Sequence, residues 1–166
     1  MFTVVDVHEL LDLVDGLGLD LWLDGGWSVD ALLGRQTRDH DDVDVVLQTS
    51  DEATFRGALE EWGFADVDTP DRRACNYVMA HPDGRRVDLH LVTFDENGDG
   101  QYDVGGPAYP AGAFTGRGVV DGRPVRCMEA RTLVAFHTGY EHDAADVADV
   151  TALCETFDIE LPEQYR

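Results

Sequence analysis

The chain has 166 residues, room for one domain with a real core, or a compact domain with a small helical appendage. Its 34 acidic residues against 12 basic ones, every one an arginine, leave a formal net charge of -22, which disfavours nucleic acid as a bulk partner because a polyanion is repelled except at a local basic patch, and none is visible. Hydrophobic residues make up an ordinary 43%, and no apolar run approaches the length of a membrane span, so a soluble globular chain is expected and a membrane partner is not.

The opening MFTVVDVHELLDLVD is acidic and lacks the basic leader and small-residue cleavage site of a signal peptide, so a cytoplasmic location is expected. Within it, Thr3-Val4-Val5-Asp6 reads as a capped helix start, followed by Val4, Val7, Leu10, Leu11, Val14 and Leu17 at helical spacing, with Gly16 and Gly18 ending the helix. An apolar run over 19–23 reads as the first strand and closes on Asp24-Gly25-Gly26; a helical pattern over 27–33 follows, ended by Gly34. Two glycines at a strand-to-helix turn let backbone approach a ligand closely, and the helix start offers free N–H groups and a positive dipole end to a phosphate. Ser28 belongs to the same corner.

The loop over 35–41 places Arg38 and His40 just before a pair of carboxylates, where a cation and a hydrogen-bond donor can meet a triphosphate; Arg38 reads equally as the partner of a nearby aspartate. Asp42-Val43-Asp44-Val45 opens an alternating strand over 42–47. Side chains two apart on a strand share a face, so both carboxylates point to one spot, where they repel each other unless a cation such as Mg²⁺ sits between them. Taken alone, the pair is also the wet face of a half-buried strand in an aspartate-rich chain.

Ser50-Asp51-Glu52 opens a second helix with Phe55, Leu59 and Trp62 inward, and 64–67 reads as a short strand. Segments 76–81 and 85–92 flank the turn Pro82-Asp83-Gly84, a hairpin signal, so the sheet is mixed or antiparallel. Asp88 and His90 share one face of the later strand and Val87, Leu89 and Leu91 the other. Asp88 can thus complete a three-carboxylate site, while His90 reads as a satisfied structural residue. Asp95-Glu96-Asn97-Gly98-Asp99-Gly100 copies the start of a calcium loop, but Gly106 stands at the twelfth position, where a bidentate glutamate is needed, and no helix precedes it. The glycine-rich stretch over 95–118, with Tyr102, Tyr109 and Phe114, suits a surface loop or a lid over an acceptor pocket. A second hairpin turns at Asp121-Gly122, and two helices follow, one with Leu133, Phe136 and His137, the next with Val147, Val150, Leu153 and Cys154. Cys75, Cys127 and Cys154 have no CxxC spacing and read as buried reduced thiols.

Gly25-Gly26-Trp27-Ser28-Val29-Asp30 followed by Thr37-Arg38-Asp39-His40-Asp41-Asp42-Val43-Asp44 resembles the signature of the small antibiotic nucleotidyltransferases, the lincosamide and aminoglycoside modifying enzymes of the DNA polymerase beta-like superfamily. Val87-Asp88-Leu89-His90 is similar to the position of their third carboxylate, and Phe136-His137-Thr138-Gly139-Tyr140-Glu141 with Leu161-Pro162-Glu163-Gln164-Tyr165 resembles the closing segment of the lincosamide branch. The resemblance implies an α/β (α+β) nucleotidyltransferase fold: a mixed sheet with helices on one face and two C-terminal helices completing the acceptor side, in one domain over 1–166 with its core over 1–94 and a C-terminal part over 95–166. It implies transfer of a nucleoside monophosphate, AMP first among them, from an NTP such as ATP to a hydroxyl of a lincosamide- or aminoglycoside-like molecule. Mg²⁺, as two ions, would lie on Asp42, Asp44 and Asp88, with Asp88 also removing the acceptor proton; Gly25, Gly26 and Ser28 would line the phosphate pocket, with Arg38 and His40 beside it. Trp27 and Asp30 match the motif but read equally as helix packing and capping. The same chemistry on a protein or metabolite hydroxyl, and a non-catalytic antitoxin-like binding module, are the alternatives; a homodimer is compatible with all of them.

Such a lysine-free, acidic composition suits a protein that works in concentrated salt, where the Debye length shrinks to a few ångströms. A G+C-rich genome explains the missing lysine but less well the acid excess. Self-repulsion of this size predicts a melting temperature that climbs strongly as KCl goes from millimolar to molar. A flat or falling curve in thermal unfolding would remove the salt explanation.

Overall fold

The computed structural model describes residues 1–102 and 109–166. Helix α1 (Val4–Leu17) starts on a capping box, in which the Thr3 hydroxyl accepts from Asp6 N–H while the Asp6 carboxylate accepts from Thr3 N–H, and it ends where Gly18 turns left-handed at φ 68°. Leu19 still folds back on the helix, its N–H reaching Val14 O at 3.2 Å, so the first strand, β1 (Leu21–Asp24), begins two residues later than the apolar run suggests. It passes without a loop into α2 (Gly25–Leu33), capped by the Asp24 carboxylate and closed by Gly34. Then come β2 (Asp42–Gln48), a 3₁₀ turn (Thr49–Asp51), α3 (Glu52–Glu61), β3 (Ala65–Val67), β4 (Asn76–Ala80), β5 (Arg86–Phe94) and β6 (Gly100–Gln101). A 3₁₀ segment (Ala111–Thr115) leads to the hairpin β7 (Gly116–Val120) and β8 (Arg123–Cys127), whose turn residues Asp121 and Gly122 both have positive φ, 45° and 81°, as a two-residue hairpin turn requires. Helices α4 (Ala130–Phe136) and α5 (Ala144–Phe157) are capped by Glu129 and Asp143.

The sheet is mixed, in the order β3-β4-β5-β2-β1-β8-β7, with β6 on β5. Strand β2 is antiparallel to β1 and parallel to β5, and the β4–β5 hairpin is antiparallel. Alternation divides the central strands cleanly. Leu21, Leu23, Val43, Val45, Leu47, Val87, Leu89 and Leu91 face one core, which α1 and α3 cover with Val7, Leu10, Val14, Phe55 and Leu59. The opposite face carries Trp22, Val46 and Val92 into a second core closed by α4 and α5. Helix α2 feeds both, through Trp27 and Ala31 on one side and Val29 on the other.

The stretch over 95–118 is less of a surface loop than its glycines suggest. Tyr109 and Phe114 are buried, and Phe114 stacks edge-on against Trp22 at 5.2 Å and Phe94 at 4.7 Å. At the would-be calcium loop the Asp95 carboxylate accepts the N–H groups of Asn97 and Asp99, making a local turn; Gly106 and the middle of the suggested lid lie outside the described residues. Val147, placed on the inner stripe of the last helix by spacing, is exposed. No helix among the described residues is long and apolar enough to cross a membrane.

Helix α2 is set against the hairpin by one glycine. A Cβ on Gly118 would stand 2.4 Å from the carbonyl carbon and oxygen of Ala31, a contact with backbone that cannot give way. Gly118→Ala should therefore prise α2 from β7 at a cost of about 1–3 kcal/mol, lowering the melting temperature by roughly 3–10 °C. Gly57→Ala, where nothing lies within 4 Å of the added methyl, is the control and should melt no lower than the native chain in the same calorimetric scan.

Candidate active site

The site is a product of register. Asp24 pairs with Asp44 across β1 and β2, and Asp44 with Asp88 across β2 and β5, so three carboxylates from three strands stand in one row on one face. The next row along carries Trp22, Val46 and His90. One face is thus acidic at its end and apolar behind.

Ligand-capable atoms of Asp44, Asp88 and His90 lie within 4.8 Å of one another. His90 Nε2 is 3.7 Å from Asp44 Oδ1 and 3.9 Å from Asp88 Oδ1, and Asn76 on β4 donates to Asp88 Oδ1 at 2.9 Å. Asp42, at the exposed start of β2, stands outside that grouping. Burial pushes the Asp88 carboxyl up to about 6; His90 opposes the rise and the charges of Asp44 and Asp42 add to it. Asp42, though open to solvent on one side, is raised as well by the protein atoms crowded round its carboxyl, with Asp44 the next cause. For His90 burial acts downward, yet Asp44, Asp24 and Asp88 together carry it up to about 9, so an imidazolium supplies the local counter-charge at neutral pH. Converging hard oxygen donors that repel one another suit a divalent cation such as Mg²⁺.

The glycine corner meets this row. A Cβ on Gly25, whose φ is 54°, would fall 2.1 Å from Asp44 Oδ2, and one on Gly26 would fall 2.6 Å from Arg38 Nη2 and from the His40 ring. Only glycine lets the helix start lie so close to Asp44 and Arg38. Two other residues expected beside a phosphate are engaged in the interior. Ser28 is fully buried, its Oγ accepting from Met128 N at 3.0 Å and donating to Met128 O at 3.4 Å. His40 is 3% exposed, its Nε2 2.6 Å from Asp30 Oδ2 and its ring packed on Trp27 at 4.7 Å; Asp30 Oδ1 also accepts from Thr37 N and Oγ1. Trp27 and Asp30 accordingly take the packing role that their positions allowed. Arg38 does form an ion pair, but with Asp149 of α5 at 3.0 Å rather than with a sequence neighbour.

One acidic residue escaped the sequence reading. Asp24 is 7% exposed, caps α2 through Gly25 N–H at 2.8 Å, and accepts from the Tyr109 hydroxyl at 2.9 Å; burial raises its carboxyl above the usual range. Tyr102 donates to Tyr109 at 3.2 Å, and the Tyr102 hydroxyl meets His90 Nδ1 at 3.1 Å, so hydrogen bonds run from Asp24 through two tyrosines to His90. Its spacing from Trp22 puts Asp24 on the Asp44 face, a signal available in the sequence once β1 is extended by one residue. Beside the row, Asp24, Gly25, Asp44, His90, Tyr109 and Phe136 line a hollow of about 200 Å³. A second hollow of about 340 Å³ shares Tyr109 and Phe136 and adds Tyr102, Ala135 and Thr138. A further hollow of about 380 Å³, between Val4, Trp27, Gln36 and Val120, has none of the row's carboxylates in its wall.

Known proteins resemble the chain over most of its length. Residues 6–153 match the family described as aminoglycoside-2''-adenylyltransferase. Among curated proteins, the chain is similar to a lincosamide resistance protein of Staphylococcus haemolyticus, 26% identical over 155 residues, 91% of this chain and 94% of the relative. It is equally similar to a 2''-aminoglycoside nucleotidyltransferase of Escherichia coli, 26% identical over 151 residues, 91% of this chain and 81% of the relative. Among solved structures, the lincosamide antibiotic adenylyltransferase LnuA bound to lincomycin shares the fold with a TM-score of 0.80 at 24% identity, over 95% of this chain and 98% of that one. ANT(2'')-Ia in complex with adenylyl-2''-tobramycin does so with a TM-score of 0.74 at 24% identity, over 93% of this chain and 88% of that one.

The raised Asp88 carboxyl makes a pH test of the site. In the folded chain it holds its proton up to about 6, whereas unfolded it titrates near 3.8, so folding loses stability as pH climbs through 6. Asp88→Asn, which can still accept from Asn76, is expected to melt higher than the native chain at pH 8 in the presence of a chelator. The gap should close as pH falls below about 4. A gap that does not move with pH would mean that the ionised carboxylate is not its cause.

Proposed function

The chain belongs to the aminoglycoside-2''-adenylyltransferase family and is a nucleotidyltransferase, and on that premise we propose that it transfers a nucleoside monophosphate, AMP in the first instance, from an NTP to one hydroxyl of a lincosamide- or aminoglycoside-like antibiotic. The observation that carries the reading is the shared row of Asp44 and Asp88 on neighbouring parallel strands, with the Gly25 backbone against Asp44. A cytoplasmic setting, where NTPs are supplied, accords with that reaction.

In this reading the triphosphate lies along the backbone of Gly25 and Gly26 at the start of α2, where the helix dipole favours negative charge, with Arg38 alongside. Asp42, Asp44 and Asp88 are the oxygen donors that would hold magnesium, as one ion or two, and the bound metal would neutralise the phosphates and fix their orientation. Asp42 would have to turn inward to join the other two. The acceptor lies in the aromatic hollow of Tyr102, Tyr109 and Phe136, which opens directly beside Asp24 and Asp44. Its hydroxyl oxygen attacks the α-phosphorus; the bond from that phosphorus to the bridging oxygen breaks, pyrophosphate leaves with the electron pair, and Asp88 takes the hydroxyl proton. The bound metal would offset the repulsion of Asp44 and Asp42 and keep Asp88 ionised near neutrality, ready to accept that proton. The hydrogen-bonded run Asp24–Tyr109–Tyr102–His90 holds the floor of the site in place while this happens.

Incubating the protein with ATP, magnesium and a panel of lincosamides and aminoglycosides should give one product heavier by a nucleoside monophosphate in mass spectrometry. Asp42→Ala and Asp44→Ala are expected to abolish magnesium-dependent ATP binding with the fold intact. Asp88→Asn should keep ATP binding but slow single turnover by about 10²- to 10⁴-fold, the usual worth of a general base. Equal loss of binding and turnover would reduce Asp88 to a metal ligand, and an unmodified panel would dismiss the antibiotic acceptor.

A further inference from the structure

The ion pair between Arg38 and Asp149 joins the two halves of the chain at a place where the proposed reaction needs an anion to bind. Arg38 sits in the loop between α2 and β2; Asp149 sits in α5, more than a hundred residues later in sequence, and is 4% exposed. The Asp149 carboxylate holds Arg38 Nη2 at 3.0 Å, its one side-chain hydrogen bond among the described residues. The same Nη2 is the atom that a Cβ on Gly26 would meet at 2.6 Å, so the guanidinium lies directly over the first turn of α2. Its remaining donors are underused: Nη1 makes only a long contact of 3.3 Å with Asp39 O, and Nε is buried with no partner. A guanidinium held by one corner at the start of α2, with Nη1 engaged only by that long contact, is set up to take a phosphate oxygen.

We propose that Asp149 is a positioning residue for the nucleotide: from the C-terminal helix it fixes the Arg38 guanidinium against Gly26, so that a triphosphate meets a pre-ordered cation instead of a swinging side chain. This rests on the reading of the glycine corner as a phosphate cradle. Two effects of removing the acid oppose each other, which makes the sign of the result diagnostic. Loss of a negative charge in so acidic a protein favours a polyanion, whereas loss of the anchor returns the freedom of a long side chain, which binding must then remove again. Preorganisation is the effect that weakens binding.

The test is calorimetric titration with ATP, with and without magnesium, alongside thermal melting. Asp149→Asn is expected to weaken ATP by about three- to tenfold, the worth of immobilising one such side chain, while the KM for the acceptor stays as in the native chain. Arg38→Gln should weaken ATP at least as much, and the double variant no more than Arg38→Gln alone, because the acid acts only through the arginine. Asp149→Glu, which keeps the charge, should recover most of the loss. ATP binding in Asp149→Asn that is unchanged or tighter, or losses that add in the double variant, would overturn the proposal while leaving the phosphate cradle standing; a native chain that binds no ATP would overturn both. Should Asp149→Asn fail to fold, Arg38→Lys leaves the acid paired but removes the fork: it too is expected to weaken ATP, and native affinity there would count against the positioning role.

Discussion

Everything in this fold answers to the problem of holding several carboxylates next to one another. Asp24, Asp44 and Asp88 stand abreast on three neighbouring strands, within reach of mutual repulsion and partly out of water. Side-chain contacts alone could not keep them so; backbone ladders can, because a strand pair has no easy way to widen without losing its hydrogen bonds. The register in turn is pinned by the other face of the same strands, since slipping β2 or β5 by one residue would exchange buried valines and leucines for aspartates. The apolar core under α1 and α3 therefore stabilises the fold and, through the pleat, fixes the charge row. What remains of the repulsion is met by His90, drawn up to about 9 by its acidic neighbours.

The parts that follow from local rules were legible in the sequence. The capping box at Thr3, the Asp121-Gly122 turn, the 76–92 hairpin and the alternation that sets Asp88 and His90 opposite Leu89 are all short-range patterns, and each has its counterpart in the structure. The mixed sheet and the family follow from them together with the Gly-Gly and Asp-x-Asp motifs. Less was legible of the long-range polar partners. No pattern could announce that Ser28 would be claimed by the backbone of Met128, that His40 would turn to Asp30, or that Arg38 would find Asp149, because these choices are made by packing between segments about ten to a hundred residues apart. Burial of Tyr109 and Phe114 was hidden for a like reason: the glycines around them signal a loop, but the apolar face behind the carboxylates needed a cover and that loop supplies it.

The arginines are spent in a consistent way. Arg123 reaches Asp12 and Asp15 of α1 from the β7–β8 hairpin, Arg85 joins Asp6, Arg126 pairs with Asp20, and Arg72 with Asp66. Pairs open to solvent contribute little each, so their sum does not make the fold. Their geometry nonetheless places these four arginines at element junctions, away from the carboxylate row. Arg38, by contrast, reaches the glycine corner.

The direct passage of β1 into α2 has a consequence for how such an enzyme can diversify. With Asp24 serving at once as the last residue of a central strand and the cap of the helix, and with α2 wedged between both cores, the glycine corner cannot shift without dragging the sheet. The wall opposite is built otherwise: Ala135, Phe136 and Thr138 sit at and just beyond the end of a seven-residue helix, with Phe136 exposed. Mutation can remodel that wall one side chain at a time while the glycine corner and the sheet stay as they are; on the proposed reading, an exchange of acceptor would need changes at that one helix end alone.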